Sequence, residues 1–559
     1  MRDAAPDLIL HGGSVRTMGP AGSMPTALAI VGDRILALGR DRDVLGLRQG
    51  RTRVIDLRGR TVLPGFTDAH VHPISGGLRH VECDLDRFDT VAEHLAAVAA
   101  YAASHPELEW IVGDGWSMET FPGGIPRREL LDDVVPDRPV FLTNRDGHGA
   151  WVNTRALEVA GITAATPDPP TGRIERDPDG TPVGMLQESA MKLVRTLIPN
   201  HGHAVIVRAI IDAQAELHAL GITGWQDANV NRDEVDAYRA VAASGALTAR
   251  VVLSMGAGEI EGFGGIDGLV AVRDAVAAAA RSAAPGSSGP ARLQSTSIKF
   301  FVDGVLENRT GALLDPYLDG QGEPTGGIGI TTLEPIELAR LSVALDGRGF
   351  QLHYHAIGDR AVREALDAIA AARAANGARD ARHHVAHIQL IHPDDLPRFA
   401  ALGAIANAQP LWAVHEAQMD ELTIPFLGPE RARWQYPFGS LLRAGARLAF
   451  GSDWTVSTAN PFPQIEVAVT RVWPELREAT PFLAAERITL DQAPTAATVG
   501  SAFVNRQHDA GWLGVARLAD IAILDRNIDA SDAGPIGDTT VVGTLVGGEF
   551  VFEARALEG

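Results

Sequence analysis

Short apolar runs alternate with helix-like or long connecting stretches through the middle of this chain. That alternation limits the possible folds more than any other feature. Eight runs qualify as strands: residues 62–72, 222–227, 250–254, 297–303, 351–356, 384–388, 404–408 and 448–453. Helix-patterned segments such as 360–374 lie between them. Alternation of β and α at this count predicts a parallel (β/α)8 barrel, TIM-like, in the α/β class. The rival is an open, doubly wound sheet, which calls for a glycine-rich phosphate loop after its first strand. Here the first strand runs into His72-Pro73-Ile74-Ser75-Gly76-Gly77, which lacks that spacing.

Both ends of the chain read as short strands punctuated by turns. Apolar runs at 8–10, 27–31, 34–38 and 54–57 are separated by Gly12-Gly13, Gly32-Asp33 and Gly59. At the other end, runs at 520–525, 539–546 and 549–552 surround Gly547-Gly548. Neither end holds enough strands to bury a core alone. Residues 1–67 and 486–559 are therefore expected to form one composite β-sandwich domain, with the barrel over 68–485. About 150 residues separate the first two barrel strands, too many for a loop. This stretch, about 74–220, has its own strand at 140–143, helices at 91–103 and 155–160, and turns at 167–172. It reads as an inserted subdomain. It leaves the barrel at the active-site end of strand one, so it is expected to shape the substrate pocket. The Gly/Ser/Pro/Ala-rich stretch at 281–290 reads as a solvated loop.

Composition narrows the function. With 49 Lys+Arg against 70 Asp+Glu, the formal net charge is −21. A surface of that sign repels phosphate backbones and anionic lipid. The expected partner is a small-molecule substrate, not nucleic acid or a membrane; homo-oligomer formation stays open. No run reaches the roughly 18 apolar residues of a spanning helix, and no basic-then-apolar leader opens the chain. A cytoplasmic protein is expected. The single cysteine, Cys83, permits neither an internal disulfide nor a thiolate cage. Any metal must then sit on histidine, carboxylate or a modified side chain.

His70-Val71-His72 closes the first barrel strand. The two-residue period puts both imidazoles on one face, where they can share one borderline-soft cation. A stray His-x-His is more often ordinary polarity. This pair, however, follows Pro64-Gly65-Phe66-Thr67-Asp68-Ala69 at the strand end where barrel active sites lie. Six of the 18 histidines fall between His353 and His392. His355, just before the turn Ala356-Ile357-Gly358-Asp359, and His387, ending strand six, read as ligands. His353 reads as a core or supporting residue, and His383 and His384 as strand-start residues away from the site. Asp453 follows strand eight in Gly451-Ser452-Asp453-Trp454. It fits a ligand or a general base beside a metal-activated water; the plainer role is a helix N-cap. Lys299 lies inside an apolar strand, where an ammonium is costly unless paired or neutralised. Reaction with CO2 to a carbamate would turn it into an anionic bidentate ligand; the plainer role is an ion pair with Asp303 or Asp227.

Together these residues carry a resemblance to the metal-dependent amidohydrolase superfamily, most of all to its N-substituted formamide deformylase-like branch. The resemblance spans essentially the whole chain. It runs through Leu63-Pro64-Gly65-Phe66-Thr67-Asp68-Ala69-His70-Val71-His72, Lys299-Phe300-Phe301-Val302-Asp303-Gly304 and His355-Ala356-Ile357-Gly358-Asp359-Arg360-Ala361. It continues in Gly451-Ser452-Asp453-Trp454 and the tail Gly514-Val515-Ala516-Arg517-Leu518-Ala519-Asp520. Within the insert it includes Gly113-Asp114-Gly115-Trp116, Asp146-Gly147-His148, Trp151-Val152-Asn153 and Gly184-Met185-Leu186-Gln187-Glu188. The resemblance implies a barrel with a composite β-sandwich and one or two divalent ions, usually zinc (Zn2+). By that analogy His70, His72 and Asp453 bind the first ion, His355 and His387 the second, and an N6-carboxylated Lys299 bridges them. One segment departs from the family pattern: Val385-Ala386-His387 has no acidic residue before its histidine, which would loosen the second position.

The implied function is metal-dependent cleavage of an amide C–N bond in a small molecule, an N-formyl or N-acyl amine. Asp453 would be the catalytic base. Trp116, His148, Arg309, Trp412 and Trp454 are candidate substrate-pocket residues, against plainer roles as core filler for tryptophan and surface cation for Arg309. Two alternatives stand beside this reading. One is a mononuclear deaminase or cyclic-amide hydrolase, with His70, His72, His355 and Asp453 on one ion, His387 as acid or oxyanion donor and Lys299 structural. The other is a metal-free scaffold, which the complete set of ligand positions argues against.

Overall fold

The computed structural model describes residues 5–19, 24–283 and 292–557. Its centre is an eight-stranded parallel sheet: β1 (Phe66–Val71), β2 (Ile222–Val230), β3 (Arg250–Gly256), β4 (Leu293–Phe301), β5 (Gln351–Ala356), β6 (His384–His387), β7 (Ile405–Ala408) and β8 (Arg447–Phe450). Neighbours in sequence are neighbours in the sheet. Individual bonds draw the two edges together: Asn407 Nδ2 donates to Ala69 O at 2.9 Å, and Asp453 N donates to His70 O at 2.8 Å. The result is a near-closed, TIM-like barrel rather than an open doubly wound sheet. Strands β5, β6 and β7 are buried at every position, as a parallel sheet covered on both faces requires. Helices such as Arg232–Ala243, Pro335–Gly347 and Asp359–Asn376 follow their strands and cover the outside.

The barrel's interior is polar. Gln226 Nε2 donates to Gln351 Oε1 at 3.0 Å, and Ser254 Oγ meets both Ser297 Oγ (3.0 Å) and His353 Nδ1 (3.2 Å). Such groups are tolerated in a dry interior because they satisfy one another.

The first expected strand, 62–72, is two strands. Thr61–Pro64 belongs to a terminal sheet, and β1 starts at Phe66. Gly65 makes the break possible: a Cβ there would lie 2.2 Å from Thr223 Cγ2. One terminal sheet has the order Arg34–Gly39, Ala27–Val31, Leu8–His11, Arg53–Asp56. The other has the order Ser14–Val15, Thr61–Pro64, Ile521–Leu524, Val541–Val546, Glu549–Glu553, and so joins both ends of the chain. Leu10, Ile30 and Ile35 share one apolar cluster with Val62, Ile521 and Leu545.

Between β1 and β2 lies a six-stranded sheet of order Gly172–Arg176, Pro182–Glu188, Gly149–Val152, Val140–Asn144, Ile111–Trp116, Cys83–Asp84. Helix Val91–Ser104 packs on it through Val98 and Ala102, and starts with a capping box between Thr90 and Glu93. Trp116 belongs to this packing and not to a pocket. It is fully buried beside Trp151 and Phe121, and its Nε1 donates to Leu142 O at 2.8 Å. Of the stretch 281–290, the first three residues finish helix Gly265–Ala283 and the rest lies outside the described residues. Among the described residues no helix is long and apolar enough to cross a membrane.

Candidate metal centre

His70 and His72 reach the carboxyl end of β1 on one side, as their spacing requires. Asp453 meets them from three residues beyond β8. Its Oδ1 lies 3.3 Å from His70 Nε2 and 3.2 Å from His72 Nε2. Gly451 allows this approach, since a Cβ there would lie 2.5 Å from His70 Cβ. Lys299 Nζ on β4 is 3.3 Å from His70 Nε2. His387, the last residue of β6, has its Nδ1 3.8 Å from Asp453 Oδ2, and the His355 ring lies 4.5 Å from the His387 ring. Asp453 and His387 both take left-handed backbone, with φ of 54° and 73°. Such conformations cost about 1–3 kcal/mol each and persist where surrounding structure enforces them.

Among the described residues, His70, His72 and Asp453 bring ligand atoms within 4.8 Å of one another. Asp453 Oδ1 and His387 Nδ1 are buried yet form no aligned hydrogen bond. Buried polar atoms are ordinarily paired. Imidazole nitrogens and a carboxylate oxygen that converge with no proton aligned between them form a donor set suited to a divalent cation. The residues present therefore fit a metal ion.

Electrostatics sharpen the picture. Burial opposes the Asp453 charge, but His70, His72 and His387 outweigh it and hold the carboxyl well below its usual range. Burial, reinforced by Lys299, pushes the His70 imidazolium down to about 3. Burial likewise draws the Lys299 ammonium down to about 7, against Asp453. Lys299 forms no salt bridge with the two carboxylates of the plainer ion-pair role. Asp227 accepts from Tyr238 Oη at 2.7 Å, and Asp303 is occupied by the backbone N–H groups of Ala312, Ile357 and Gly358 at 2.8, 3.0 and 2.8 Å.

Two cavities meet at this centre. The wider one is lined by His70, His72, Lys299 and Glu188, and by Asp114 and Phe141 of the insert. The more enclosed one is lined by His355, His387, Asp453, Trp412, Glu307 and Tyr436. His148 lines both. Its Nδ1 is 3.0 Å from Glu188 Oε2. Burial opposes the imidazolium, but Glu188, Asp146 and Asp303 raise it to about 9. Trp412 stacks on His387 at 5.3 Å and 8°. These two pocket candidates therefore reach the site.

Three do not. Trp116 is in the insert's core, as described above. Trp454 lines neither cavity; its ring covers Gly76, where a Cβ would lie 2.2 Å from Trp454 Cη2. Arg309 is exposed, with its guanidinium 4.9 Å above the Phe426 ring. His353 supports the centre, as expected, through a 2.9 Å contact between its Nε2 and His70 Nδ1. His384 is nearer than expected. It is fully buried beneath the centre, with its ring 4.0 Å from that of His353.

Other participants were not singled out from the sequence. Asp68 accepts from His70 N (3.1 Å) and Ser452 N (3.0 Å), tying β1 to the segment after β8. Its signal was its place inside the first motif. Glu188 likewise lay in a recognised motif. Glu307, Glu416 and Tyr436 carried no local signal, because they enter the cavity from connecting segments.

A near-closed parallel α/β barrel with histidine and aspartate gathered at the carboxyl ends of its strands defines a barrel with a candidate metal centre. A sequence model of the amidohydrolase family matches residues 53–552, and the chain belongs to that family. It is 30% identical to Protein LONG AFTER FAR-RED 3 of Arabidopsis thaliana, over 98% of this chain and 91% of that protein. It is 27% identical to the N-substituted formamide deformylase of Arthrobacter pascens, over 98% of each. It also resembles the crystal structure of an uncharacterized metal-dependent hydrolase from Pyrococcus furiosus. There the TM-score is 0.69 and the identity 26%, over 93% of this chain and 99% of that one.

Proposed function

We propose that the protein is a metal-dependent hydrolase that cleaves the C–N bond of a small-molecule amide, an N-formyl or N-acyl amine, with zinc as its resident ion. The convergence of His70, His72 and Asp453 at the carboxyl end of the barrel carries this reading. The likeness to a formamide deformylase supports the amide, and the nitrogen and carboxylate donors suit zinc.

His70, His72 and Asp453 would hold one ion. His355, His387 and an N6-carboxylated Lys299 are proposed for a second, and the burial that disfavours the Lys299 ammonium supports its carboxylation. When bound, such an ion supplies positive charge that acidifies water and polarises a carbonyl. The chain supplies the rest. Asp453 accepts the proton of the attacking water and returns it to the departing nitrogen. His148, kept cationic by Glu188, offers an N–H to negative charge growing on the carbonyl oxygen.

A one-metal centre, as in a deaminase or cyclic-amide hydrolase, would place His70, His72, His355 and Asp453 on one ion with Lys299 structural, and the convergence of His70, His72 and Asp453 on one point supports it. His355 Nε2 donates to Gly304 O at 3.2 Å, which leaves its Nδ1 for that ion. In that case His387 acts as acid or oxyanion donor.

Metal analysis combined with a panel of N-formyl and N-acyl amines tests both. Asp453→Asn is expected to lower kcat/KM by about 10²–10⁴-fold, and chelation to abolish turnover until zinc is restored. Full activity in the variant or in metal-free protein would overturn the proposal. One or two ions per chain separates the two centres.

A further inference from the structure

The more enclosed cavity extends from His355, His387 and Asp453 to side chains that hydrolysis as derived above does not use. Beside Asp146, which accepts from His148 N at 2.8 Å, two are carboxylates. Glu307, on the segment after β4, accepts from Thr423 Oγ1 at 3.2 Å. Glu416 lines the same cavity, and its carboxylate accepts no hydrogen bond among the described residues, although its backbone carbonyl accepts from Asp420 N at 2.8 Å. Burial pushes Glu307 up to about 7, with Asp146 adding to it. It pushes Glu416 up to about 7 as well, against Arg145 and with Glu119 and Glu307 adding to it. The two cations of this lining among the described residues are already engaged: Arg145 with Glu119 Oε1 at 3.1 Å and His148 with Glu188 Oε2 at 3.0 Å.

The walls are aromatic. Trp412 and Trp473 line the cavity, and so does Tyr436, which is 2% exposed. The Tyr436 hydroxyl feels the charge of both Glu307 and Glu416, yet it has no hydrogen-bond partner among the described residues. A neutral occupant leaves the mutual repulsion of Glu307 and Glu416 without a compensating charge. An organic cation satisfies them and gains from the ring faces.

We propose that this part of the cavity selects substrates that carry, besides the scissile amide, a protonated amine or guanidinium, held by Glu307 and Glu416 among Trp412, Trp473 and Tyr436. The inference rests on the amide-hydrolase reading for its chemistry, but cation recognition is testable without turnover. Benzylguanidine and its neutral isostere benzylurea are compared by isothermal titration calorimetry on the zinc-loaded protein. The guanidinium is expected to bind at least about tenfold more tightly, and the Glu307→Gln/Glu416→Gln variant to reduce that ratio below about threefold. Equal binding of the two probes to the wild-type protein would overturn the inference, whether or not the variant folds. So would a ratio unchanged in a folded variant. In parallel, kcat/KM is compared for N-(4-guanidinobutyl)formamide and N-(4-ureidobutyl)formamide. A preference of at least about tenfold for the cation supports the inference. Equal turnover overturns it and leaves amide hydrolysis standing. If neither amide is cleaved, the hydrolase reading fails for formamides, and the binding ratio still decides whether the cavity takes a cation.

Discussion

His353 shows how a residue outside the proposed chemistry orients one within it. Its Nε2 lies 2.9 Å from His70 Nδ1, and its own Nδ1 meets Ser254 Oγ at 3.2 Å. Fixing one nitrogen of an imidazole sets the tautomer and direction of the other. His353→Phe is therefore expected to lower zinc affinity about 10–100-fold, measured by competition with a chromogenic chelator. His353→Gln, which keeps a hydrogen-bonding group, should recover part of the loss. Unchanged affinity in the Phe variant would mean that β1 alone orients His70. The same scale separates good pocket candidates from poor ones. His148 and Trp412 reach the centre, whereas Trp116, Trp454 and Arg309 are equally plausible as residues and lie elsewhere. Residue type near a motif does not specify side-chain direction; packing against neighbours such as Gly76 and Phe426 does.

Elements are joined by groups that sequence periodicity does not reveal. Asp346, near the end of helix Pro335–Gly347, accepts from His383 Nε2 at 3.0 Å and Asn376 Nδ2 at 2.8 Å, and also from Arg379. It thus ties that helix to the start of β6. Burial opposes its charge, but His383, Asn376 and Arg379 outweigh it and draw the carboxyl down to about 2. A carboxyl depressed on folding stabilises the protein fully above its unfolded value, and the effect fades as pH falls toward the folded one. Asp346→Asn should cost about 1–2 kcal/mol at neutral pH. In urea titrations this gap should hold down to about pH 4 and shrink by pH 3; a gap constant over that range would refute the assignment. The strands themselves were largely legible, because each carries a short apolar run bounded by turns and separated from the next by a helix-patterned stretch. The break at Gly65 was not, because the apolar run continues across it and only contact with Thr223 reveals the hinge.

Across the whole molecule, a buried ion pair fastens the terminal sheet to the barrel. Arg250, at the start of β3, donates to Asp520 through Nε at 2.6 Å and Nη2 at 3.0 Å, and Gly547 N adds a bond at 2.7 Å. Asp520→Ala would leave a guanidinium buried and unpaired, at about 3–5 kcal/mol, read by chemical denaturation. Arg250→Met with Asp520→Leu should recover much of that loss. A cost below about 1 kcal/mol for the single change would show that this pair does not hold the two parts together. The net charge of −21 enters none of these contacts and bears on solubility and partners. Countable and short-range properties were present in the order of residues itself. They include eight alternations, imidazoles two residues apart at a strand end, and a lone cysteine that leaves metal binding to nitrogen and oxygen. Convergence was not. His70 and Asp453 share a centre because the sheet curls until β8 lies beside β1, and Glu307, Glu416 and Tyr436 share a cavity because separate connections fold over the same barrel end. Those are distances through space between residues far apart in the chain, and no local period or composition carries them.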